Sequence, residues 1–582
     1  MSSPLRHHFL RALLLAFAMS GVAAGSTLEL TIDPVFNGEP LRLDSLRYET
    51  AAGETLSVTR LSYLLSGVAL QRQDGQWVEF PNTTAWMDLT ARRRVFQVEG
   101  VAEGLYQALR FHIGPDATAN AADVSKIPAN GPLNPNLNGL HWSWQGGYIF
   151  MAIEGHYRTG NHELNGYAHH LARDPNRTSI SLSAALDLRK DAGVQIQFDL
   201  ASLLNAPRPL SFEKDGSATH SRDGDPIAAA LVANLRGAFR VNRIVSEVSA
   251  SMALPKVEPI DLPAKFTPYR FTMSRTFPVP DLPRDNPLIV ERVSLGEKLF
   301  SDKRLSRDGT ISCATCHQSD AAFTDRLPLS RGIEGRSGDR NSMPLFNLAW
   351  KREFFWDGRA KSLREQVLMP IRDHREMDQS LEKACETLSD SPEDVLLFRD
   401  AYGSPGITAG KVSLALEQYL LTLSARDSRF DRAFAGKATL SDGEKRGFEL
   451  FMTEYEPRTG QNGADCFHCH GGALFSDHQF HDNGLEGEAP GRAKVTGLPG
   501  DQGKFSTPSL RNLGLTAPYM HDGRFATLEE VVEHYSTGIH RRATLDPNLA
   551  KHPETGLNLS TPDKAALVAF LKTLTEESPP AP

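Results

Sequence analysis

The chain has 582 residues, a formal net charge of −8 and 40% hydrophobic residues, which is typical of a globular protein of several domains. The slight excess of acidic residues excludes nucleic-acid binding through a strongly basic surface. After the N-terminal region, no apolar stretch reaches the roughly 20 residues that a membrane span needs. We therefore predict no stable membrane span and no nucleic-acid partner.

The first 24 residues have the pattern of a cleavable signal peptide. Arg6 and Arg11 precede an apolar run at residues 12–19, and small residues follow up to Ala24. An uncleaved anchor helix is the alternative, but the apolar run is shorter than a membrane span. We expect cleavage near Ala24 and a periplasmic mature protein.

Residues 25–245 are predicted to form an all-β sandwich. Polar and apolar residues alternate at 27–32 and 179–182, and turn residues separate the short runs, a pattern typical of strands with one buried face. The stretch 246–285 is proline-rich without clear periodicity, which predicts a linker.

From residue 286 onward the apolar residues recur at intervals of three to four, which predicts a mainly α-helical region. Ser441 and Glu444 form a capping-box pattern at the start of one of these helices. The predicted helices are 288–300, 363–369, 411–423, 442–452, 528–535 and 562–574.

Two C-x-x-C-H motifs lie in the helical region. They consist of Cys313, Cys316 and His317, and of Cys466, Cys469 and His470. This pattern predicts c-type haem attachment through two thioether bonds, with the His as an iron ligand. A zinc knuckle or a redox C-x-x-C is the alternative, but a zinc site needs its ligands in one compact unit and these motifs lie about 150 residues apart. We therefore expect two covalently bound haem c groups. The fifth cysteine, Cys385, is predicted to be a buried free thiol.

The helical region also repeats itself. A helix ending in Leu-Phe precedes each haem motif, at residues 296–300 and 447–451. A second shared pattern, Asp-Gly-Arg, follows each motif at residues 357–359 and 522–524. The repeat predicts two similar haem lobes, residues 286–430 and 431–582.

These motifs resemble the bacterial dihaem cytochrome c peroxidase superfamily, and most closely its MauG branch, which includes MbnH-like proteins. The likeness spans about half the chain, residues 286–574. Besides the haem motifs it rests on the segments 340–341, 355–359, 363–376, 507–512, 516–523 and 528–535.

Two positions resemble the MauG branch rather than the ordinary peroxidases. Residues 318–355 contain no His, so the resemblance implies a first iron that is open to hydrogen peroxide. The position of the second haem's distal Met is taken by Tyr535, and a phenolate there would lower the haem potential. The competing donors are His534, His521 and Met520.

The resemblance also implies roles for residues around the haems. Trp356 would relay electrons between them, and Glu376 would move a proton between the peroxide oxygens, in a distal pocket with Gln366 and Pro370. A core aromatic residue and a solvated carboxylate are the respective alternatives. The residues implied to bind a calcium ion between the haems, where simple turn chemistry is the alternative, are Asn341, Thr516 and Pro518.

The region 25–245 contains one conspicuous cluster of aromatic and imidazole side chains. His141, Trp142 and Trp144 lie close together, and further histidines follow at positions 156, 162, 169 and 170. Imidazoles at this density suit copper or zinc, although satisfied surface histidines and core tryptophans are the alternative.

This stretch resembles the MbnP family of exported copper-binding proteins, in which histidines and a tryptophan oxidised to kynurenine hold the metal. The resemblance implies copper ligands at His141 and His170. It also makes Trp142 and Trp144 the candidate oxidised residues.

Together the two resemblances imply a periplasmic dihaem peroxidase that uses hydrogen peroxide to oxidise a protein tryptophan, in its own N-terminal copper-binding domain, through a high-valent dihaem state. One alternative is a peroxidase that detoxifies hydrogen peroxide with electrons from a small periplasmic redox protein. Another is a copper-binding protein whose haem half serves only its maturation. The sequence leaves homodimer formation open.

Overall fold

The computed structural model describes residues 25–142, 146–160, 163–245, 262–456, 460–553 and 555–577. The predicted signal peptide, Trp144, His162 and residues 246–261 of the predicted linker lie outside these ranges. Among the described helices, none is both long enough and apolar enough to cross a bilayer.

The region 25–245, called the front domain below, is mostly β-sheet, as predicted. Its strands are β1 Ser26–Phe36, β2 Glu39–Pro40, β3 Tyr48–Glu49, β4 Glu54–Leu56, β5 Arg60–Arg72, β6 Trp77–Asp88, β7 Val95–Val101, β8 Leu105–Ile113, β9 Ile149–Thr159, β10 Asn165–Ala172, β11 Thr178–Asp187, β12 Ala192–Asp199, β13 Ala218–Thr219 and β14 Phe239–Val245. One sheet has the order β14-β12-β1-β2, with β7 beside β1. The other has the order β11-β8-β5-β9-β10-β13, with β6 beside β5 and β4 beside β9.

The two sheets share one hydrophobic core. The rings of Tyr63 and Phe198, from different sheets, lie 5.5 Å apart, and so do those of Phe111 and Phe239. The alternation predicted at 27–32 falls within β1, where the apolar side chains are fully buried. Burial of this kind is the main favourable contribution to folding.

The front domain also contains helices that the alternation did not predict. They are α1 Ala117–Asn120, α2 Pro135–Asn138, α3 Leu200–Asn205 and α4 Pro226–Ala238. The longest, α4, begins after Asp225, whose side chain accepts a hydrogen bond from the backbone N–H of Ile227. It buries Ile227, Leu231 and Leu235, so it belongs to the core.

The remainder of the chain is mainly helical, also as predicted. Its helices are α5 Val290–Phe300, α6 Cys313–Cys316, α7 Leu363–Gln366, α8 Met369–Arg372, α9 Leu381–Ser389, α10 Pro392–Tyr402, α11 Ala409–Thr422, α12 Arg429–Phe434, α13 Asp442–Phe451, α14 Ala493–Thr496, α15 Leu528–Thr537, α16 Pro547–Ala550 and α17 Thr561–Lys572. Two short antiparallel strand pairs accompany them, β15 Tyr455–Glu456 with β16 Gln461–Asn462, and β17 Phe480–His481 with β18 Phe505–Ser506.

Most predicted helix boundaries agree with these to within two residues, and the capping box of Ser441 and Glu444 is present. The continuous helix predicted over 363–369 is wrong, because the segment divides into α7 and α8. Pro370 has no backbone N–H and cannot continue the ladder of α7. Cys385 is a free thiol but is only half-buried, since it lies on a face of α9 that is partly open to solvent.

The front domain packs against the second half of the helical region. His156 Nε2 lies 2.7 Å from the carbonyl oxygen of Leu545, and Arg541 donates to the carbonyl oxygen of Leu164 at 3.1 Å. The hydrophobic core of the front domain continues into the helices around the second haem motif. This contact places strand β10 beside that motif.

Candidate active site

The first haem motif lies in helix α6, whose Ser312 and Thr315 form a reciprocal cap. His317 follows this helix, and its Nδ1 lies 2.8 Å from the carbonyl oxygen of Phe323. A backbone carbonyl beside Nδ1 holds the proton there, which leaves the Nε2 lone pair available to a metal.

The second haem motif has the same local design. His470 Nδ1 lies 3.2 Å from the carbonyl oxygen of Phe475. Phe323 and Phe475 both have a positive φ, 57° and 51°, because a tight turn brings each carbonyl back to its imidazole. Each motif therefore presents two thiols and one oriented imidazole, the donor set that a c-type haem requires.

A cavity of about 390 Å³ adjoins the first motif, within the size range of ligand pockets. The thiols of Cys313 and Cys316 and the imidazole of His317 form one part of its wall. The predicted distal residues Gln366, Pro370 and Glu376 line it too, as do Trp356 and Asn341. The structure thus brings together the residues that the resemblance assigned to the first haem, and a haem fits their chemistry.

Glu376 is one of the carboxylates that line this cavity. Burial in the cavity wall and repulsion from Asp373 raise its pKa to about 7, although Arg359 and Arg375 oppose the shift. The guanidinium group of Arg375 is itself paired with Asp339, and its Nε also lies 3.7 Å from Asp373 Oδ1. A carboxyl group with a pKa near neutrality is suited to accept and return a proton at physiological pH.

Trp356 lies where the two haem lobes meet. Its indole N–H donates to the carbonyl oxygen of Asn341 at 2.9 Å, and its own carbonyl accepts from the N–H of Ser506 in the second lobe at 2.8 Å. Asn341 in turn donates its backbone N–H to the carbonyl oxygen of His521 in the second lobe, at 3.0 Å. Trp356 is only 8% exposed, so its ring is enclosed between the lobes.

The two Asp-Gly-Arg turns of the sequence repeat form a reciprocal contact between the lobes. A Cβ at Gly358 of the first lobe would overlap Arg492 and Phe480 of the second, and a Cβ at Gly523 of the second would overlap Pro328 of the first. Both glycines have a positive φ, 70° and 66°. Only glycine permits so close an approach in this conformation.

Thr516 and Pro518, the other two predicted calcium ligands, lie on the loop that leads to the turn of the second lobe. The Thr516 hydroxyl donates to the carbonyl oxygen of Leu513 at 3.3 Å. Since Asn341 contacts the same loop through His521, the three predicted ligands belong to one lobe junction.

Tyr535 lies on α15 with its hydroxyl oxygen 3.2 Å from Asn483 Nδ2. Met520 Sδ is 3.6 Å from the same nitrogen, so the tyrosine and the competing methionine converge on Asn483. The other donors are engaged differently, because His534 Nε2 contacts the carbonyl oxygen of Asn483 and the ring of His521 stacks on a phenylalanine. Burial raises the pKa of Tyr535 to about 12, so only a strong cation such as ferric iron would bind it as phenolate.

Replacing Tyr535 by Met is expected to raise the reduction potential of the second haem by on the order of 0.1 V or more, because axial ligands set haem potentials over a range of about 0.8 V. A thioether stabilises the reduced iron more than a phenolate does. Spectroelectrochemical titration of the full-length protein measures the change. Tyr519→Met is the matched control, since the Tyr519 hydroxyl donates to the carbonyl oxygen of Leu513. An unchanged potential in Tyr535→Met would exclude Tyr535 as the ligand.

In the front domain, His170 lies in a cluster with two histidines that the sequence analysis did not select. The cluster consists of His170, His220 and His468, whose donor atoms all lie within 4.8 Å of one another. Strand β13 pairs in parallel with β10, His169 opposite Thr219, so the next residues, His170 and His220, lie side by side. His468 comes from inside the second haem motif, and the extra imidazole between the two cysteines was the signal that could have identified it.

His141 and Trp142 lie near this cluster but not within it. The His141 ring packs against Tyr148 with 4.6 Å between centroids, and burial lowers the His141 pKa to about 4. The Trp142 ring lies 5.3 Å from that of His220. Both residues line a small cavity together with His170 and His468, so the predicted copper ligands share one cavity.

Residues 290–439 match the family model of the di-haem cytochrome c peroxidases, and residues 25–221 match the MbnP family model. The methylamine utilization protein MauG of Methylorubrum extorquens is 40% identical over 300 residues, which cover 51% of this chain and 81% of MauG. The chain belongs to the dihaem cytochrome c peroxidase family. It is a haem-dependent oxidoreductase that carries an MbnP region in front of its dihaem region.

A further relative agrees with this family assignment. The cytochrome c551 peroxidase of Nitrosomonas europaea is 32% identical over 314 residues, which cover 53% of this chain and 86% of the relative. A solved structure of a MauG-like protein associated with microbial copper homeostasis is 33% identical, covers 53% of this chain and 96% of its own, and has a TM-score of 0.48.

Proposed function

We propose that this periplasmic dihaem enzyme uses hydrogen peroxide to oxidise Trp142 of its own front domain. The observation that carries this proposal is the short path between Trp142 and the second haem motif. The Trp142 ring lies 5.3 Å from the His220 ring, which lies 5.4 Å from the ring of Phe467. Phe467 is the residue that directly follows Cys466.

The peroxide site is the cavity of the first lobe. When bound, the haem supplies an iron that takes two oxidising equivalents from hydrogen peroxide. His317 is held with Nε2 available to that iron, and Glu376 accepts a proton from one peroxide oxygen and returns it to the other. Such proton transfer by a positioned group typically contributes about 10²–10⁴-fold to a rate.

Trp356 and Tyr535 direct the oxidising equivalents toward the front domain. The enclosed indole of Trp356 connects the first cavity with the second lobe, and its N–H is fixed by Asn341. Tyr535 would hold the second haem as an anionic ligand, which would favour the oxidised form of that lobe. Electrons would then pass from Trp142 to the second lobe. Two molecules of hydrogen peroxide would supply the four oxidising equivalents that add two oxygen atoms from water to the indole, and hydrolysis with release of formate would give a kynurenine-type residue.

Two metal ions complete the proposal. A calcium ion at the lobe junction is held by Asn341 and by the backbone carbonyl oxygens of Thr516 and Pro518, which are the hard oxygen donors that calcium prefers. A copper ion in the front domain is held by His170 with His141 nearby. Once Trp142 has been converted, a small periplasmic redox protein would take its place as the source of electrons.

The test is peptide mapping of the full-length protein, with both haems attached, before peroxide, after one equivalent and after two equivalents of hydrogen peroxide. We expect a gain of one or two oxygen atoms, or the net change to kynurenine, on the peptide that contains Trp142. Trp142→Phe should remove this change, while Trp86→Phe should not. Trp86 is a suitable control because it is in the same domain, where its indole N–H donates to Ser62 at 2.9 Å.

The opposite result would favour peroxide detoxification. If Trp142 remains unmodified while the protein turns over peroxide rapidly with a small electron donor, the front domain is not the substrate.

A further inference from the structure

The three histidines of the cluster come from two separate parts of the fold. His170 is on β10 and His220 directly follows the neighbouring strand β13, whereas His468 lies within the second haem motif, between Cys466 and Cys469. The ring centroid of His468 is 5.3 Å from that of His170 and 5.1 Å from that of His220. The three side chains are 2%, 10% and 4% exposed, so the cluster is enclosed where the domains meet.

Two of the imidazoles face each other nitrogen to nitrogen, each with a carboxylate on its opposite side. His170 Nε2 lies 2.8 Å from Glu154 Oε1, and His220 Nδ1 lies 2.6 Å from Glu454 Oε2, though not in line with the N–H bond. Each carboxylate retains the imidazole proton on its own side. The opposite nitrogens, His170 Nδ1 and His220 Nε2, are 3.2 Å apart. With a lone pair on both nitrogens they would repel each other, and a shared cation would remove this repulsion.

This separation matches the geometry of a bound metal. Two nitrogen ligands at the usual distance of about 2.0–2.1 Å from a tetrahedral ion lie about 3.3 Å from each other. His468 repeats the arrangement, since its Nε2 is 3.1 Å from the same carboxylate of Glu454. A carboxylate behind each imidazole is the usual outer shell of a histidine metal site.

The balance of charges around the cluster is also compatible with a bound cation. Three buried carboxylates, Glu154, Glu454 and Asp465, are 8%, 5% and 1% exposed. They are paired with two cationic side chains, Arg60 on Glu154 and Lys551 between the other two. His552 also contacts Asp465 at 2.7 Å, but burial lowers its pKa and favours the neutral imidazole. Buried charges are tolerated when they are compensated, and one added positive charge would balance the third carboxylate.

We propose that His170, His220 and His468 together bind one late transition-metal ion, so that the haem attachment loop supplies a ligand to a metal of the front domain. This inference rests on the copper site proposed above and changes its ligand set. A site with ligands from one domain becomes a site with ligands from two. Imidazole donors suit copper and zinc, and copper has the higher intrinsic affinity of the two. A cavity of about 80 Å³ lined by Trp142, His170 and His468 accommodates a fourth ligand such as water.

The experiment uses full-length protein with both haems attached that has never been exposed to peroxide. After removal of metal by a chelator, Cu(I) is titrated anaerobically against a chromophoric chelator, and Zn(II) is titrated in a parallel arm. We expect one ion per chain and, once the bound copper is oxidised, Cu(II) bound more tightly than Zn(II). His468→Gln and His220→Gln should each weaken binding by at least about 100-fold, and Glu454→Gln by about 10–100-fold, as for other outer-shell carboxylates.

Three controls make the result decisive. His374→Gln should bind copper normally, because His374 is exposed and its side chain is 73% accessible. Haem absorbance and intact mass show whether His468→Gln still carries both haems. After oxidation of the bound copper, electron paramagnetic resonance should show coupling to three nitrogens in the wild type and to fewer in His468→Gln.

Normal copper affinity in His468→Gln together with loss of affinity in His170→Gln would overturn the proposal, because the site would then lie in the front domain alone. Absence of bound metal would overturn it as well. Trp142→Phe should keep the wild-type affinity, since the three imidazoles suffice. A failure of Trp142 oxidation would therefore leave this metal test unaffected.

Discussion

Replacing Glu376 by Gln is expected to slow the reaction with hydrogen peroxide by about 10²–10⁴-fold, the usual contribution of a general acid–base group. Gln has nearly the same shape as Glu, but it can neither take a proton from peroxide nor return it. Stopped-flow absorbance of the haems after mixing with peroxide measures the rate. Glu382→Gln is the matched control, because Glu382 is an exposed carboxylate on α9 outside the cavity.

The pH dependence tests the same residue. The proton-accepting form of Glu376 is the carboxylate, and its pKa is raised to about 7. The wild-type rate should therefore rise about tenfold per pH unit below pH 7 and level off above it, whereas Glu376→Gln should lack this inflection. A wild-type rate in Glu376→Gln, with the same pH profile, would show that another group moves the proton.

Replacing Trp356 by Phe is expected to slow the oxidation of Trp142 on the order of 100-fold, or about 2.7 kcal/mol of barrier, while the initial reaction with peroxide changes little. Phe keeps most of the apolar contact between the lobes but is much harder to oxidise than an indole. Time-resolved peptide mapping after one equivalent of peroxide measures the rate at Trp142, and stopped flow measures the first step.

Trp350→Phe is the control for this substitution. Trp350 is also a buried tryptophan of the first lobe, and it donates its indole N–H to the carbonyl oxygen of Pro278 at 2.7 Å. Both variants thus lose one buried hydrogen bond, with a similar cost of about 1–3 kcal/mol in stability. Equal oxidation rates at Trp142 in the two variants would show that Trp356 does not carry the electrons.

Features that depend on local sequence could be predicted. The haem motifs, the repeat of the two lobes and most helices follow from spacings of a few residues, because backbone geometry converts such spacings directly into position. Helix α4 could also have been recognised, since Asp225 and Pro226 are a usual start for a helix. The β-pattern around it obscured that signal.

The histidine cluster could not be derived in the same way. His170 and His220 become neighbours only because the two-residue strand β13 pairs in parallel with β10, and no periodicity identifies so short a strand. His468 joins them only through the packing of the front domain on the second lobe. The sequence indicated His170 as a metal ligand, but its neighbours depend on tertiary contacts between distant segments.

The packing of the front domain on the second lobe has a kinetic consequence. Since His156 contacts Leu545 and Arg541 contacts Leu164 within one chain, donor and acceptor are held at a fixed effective concentration instead of meeting by diffusion. Under the proposed function, transfer between them would be first order, with a half-life independent of dilution and insensitive to an added free front domain. Each chain would then be modified once.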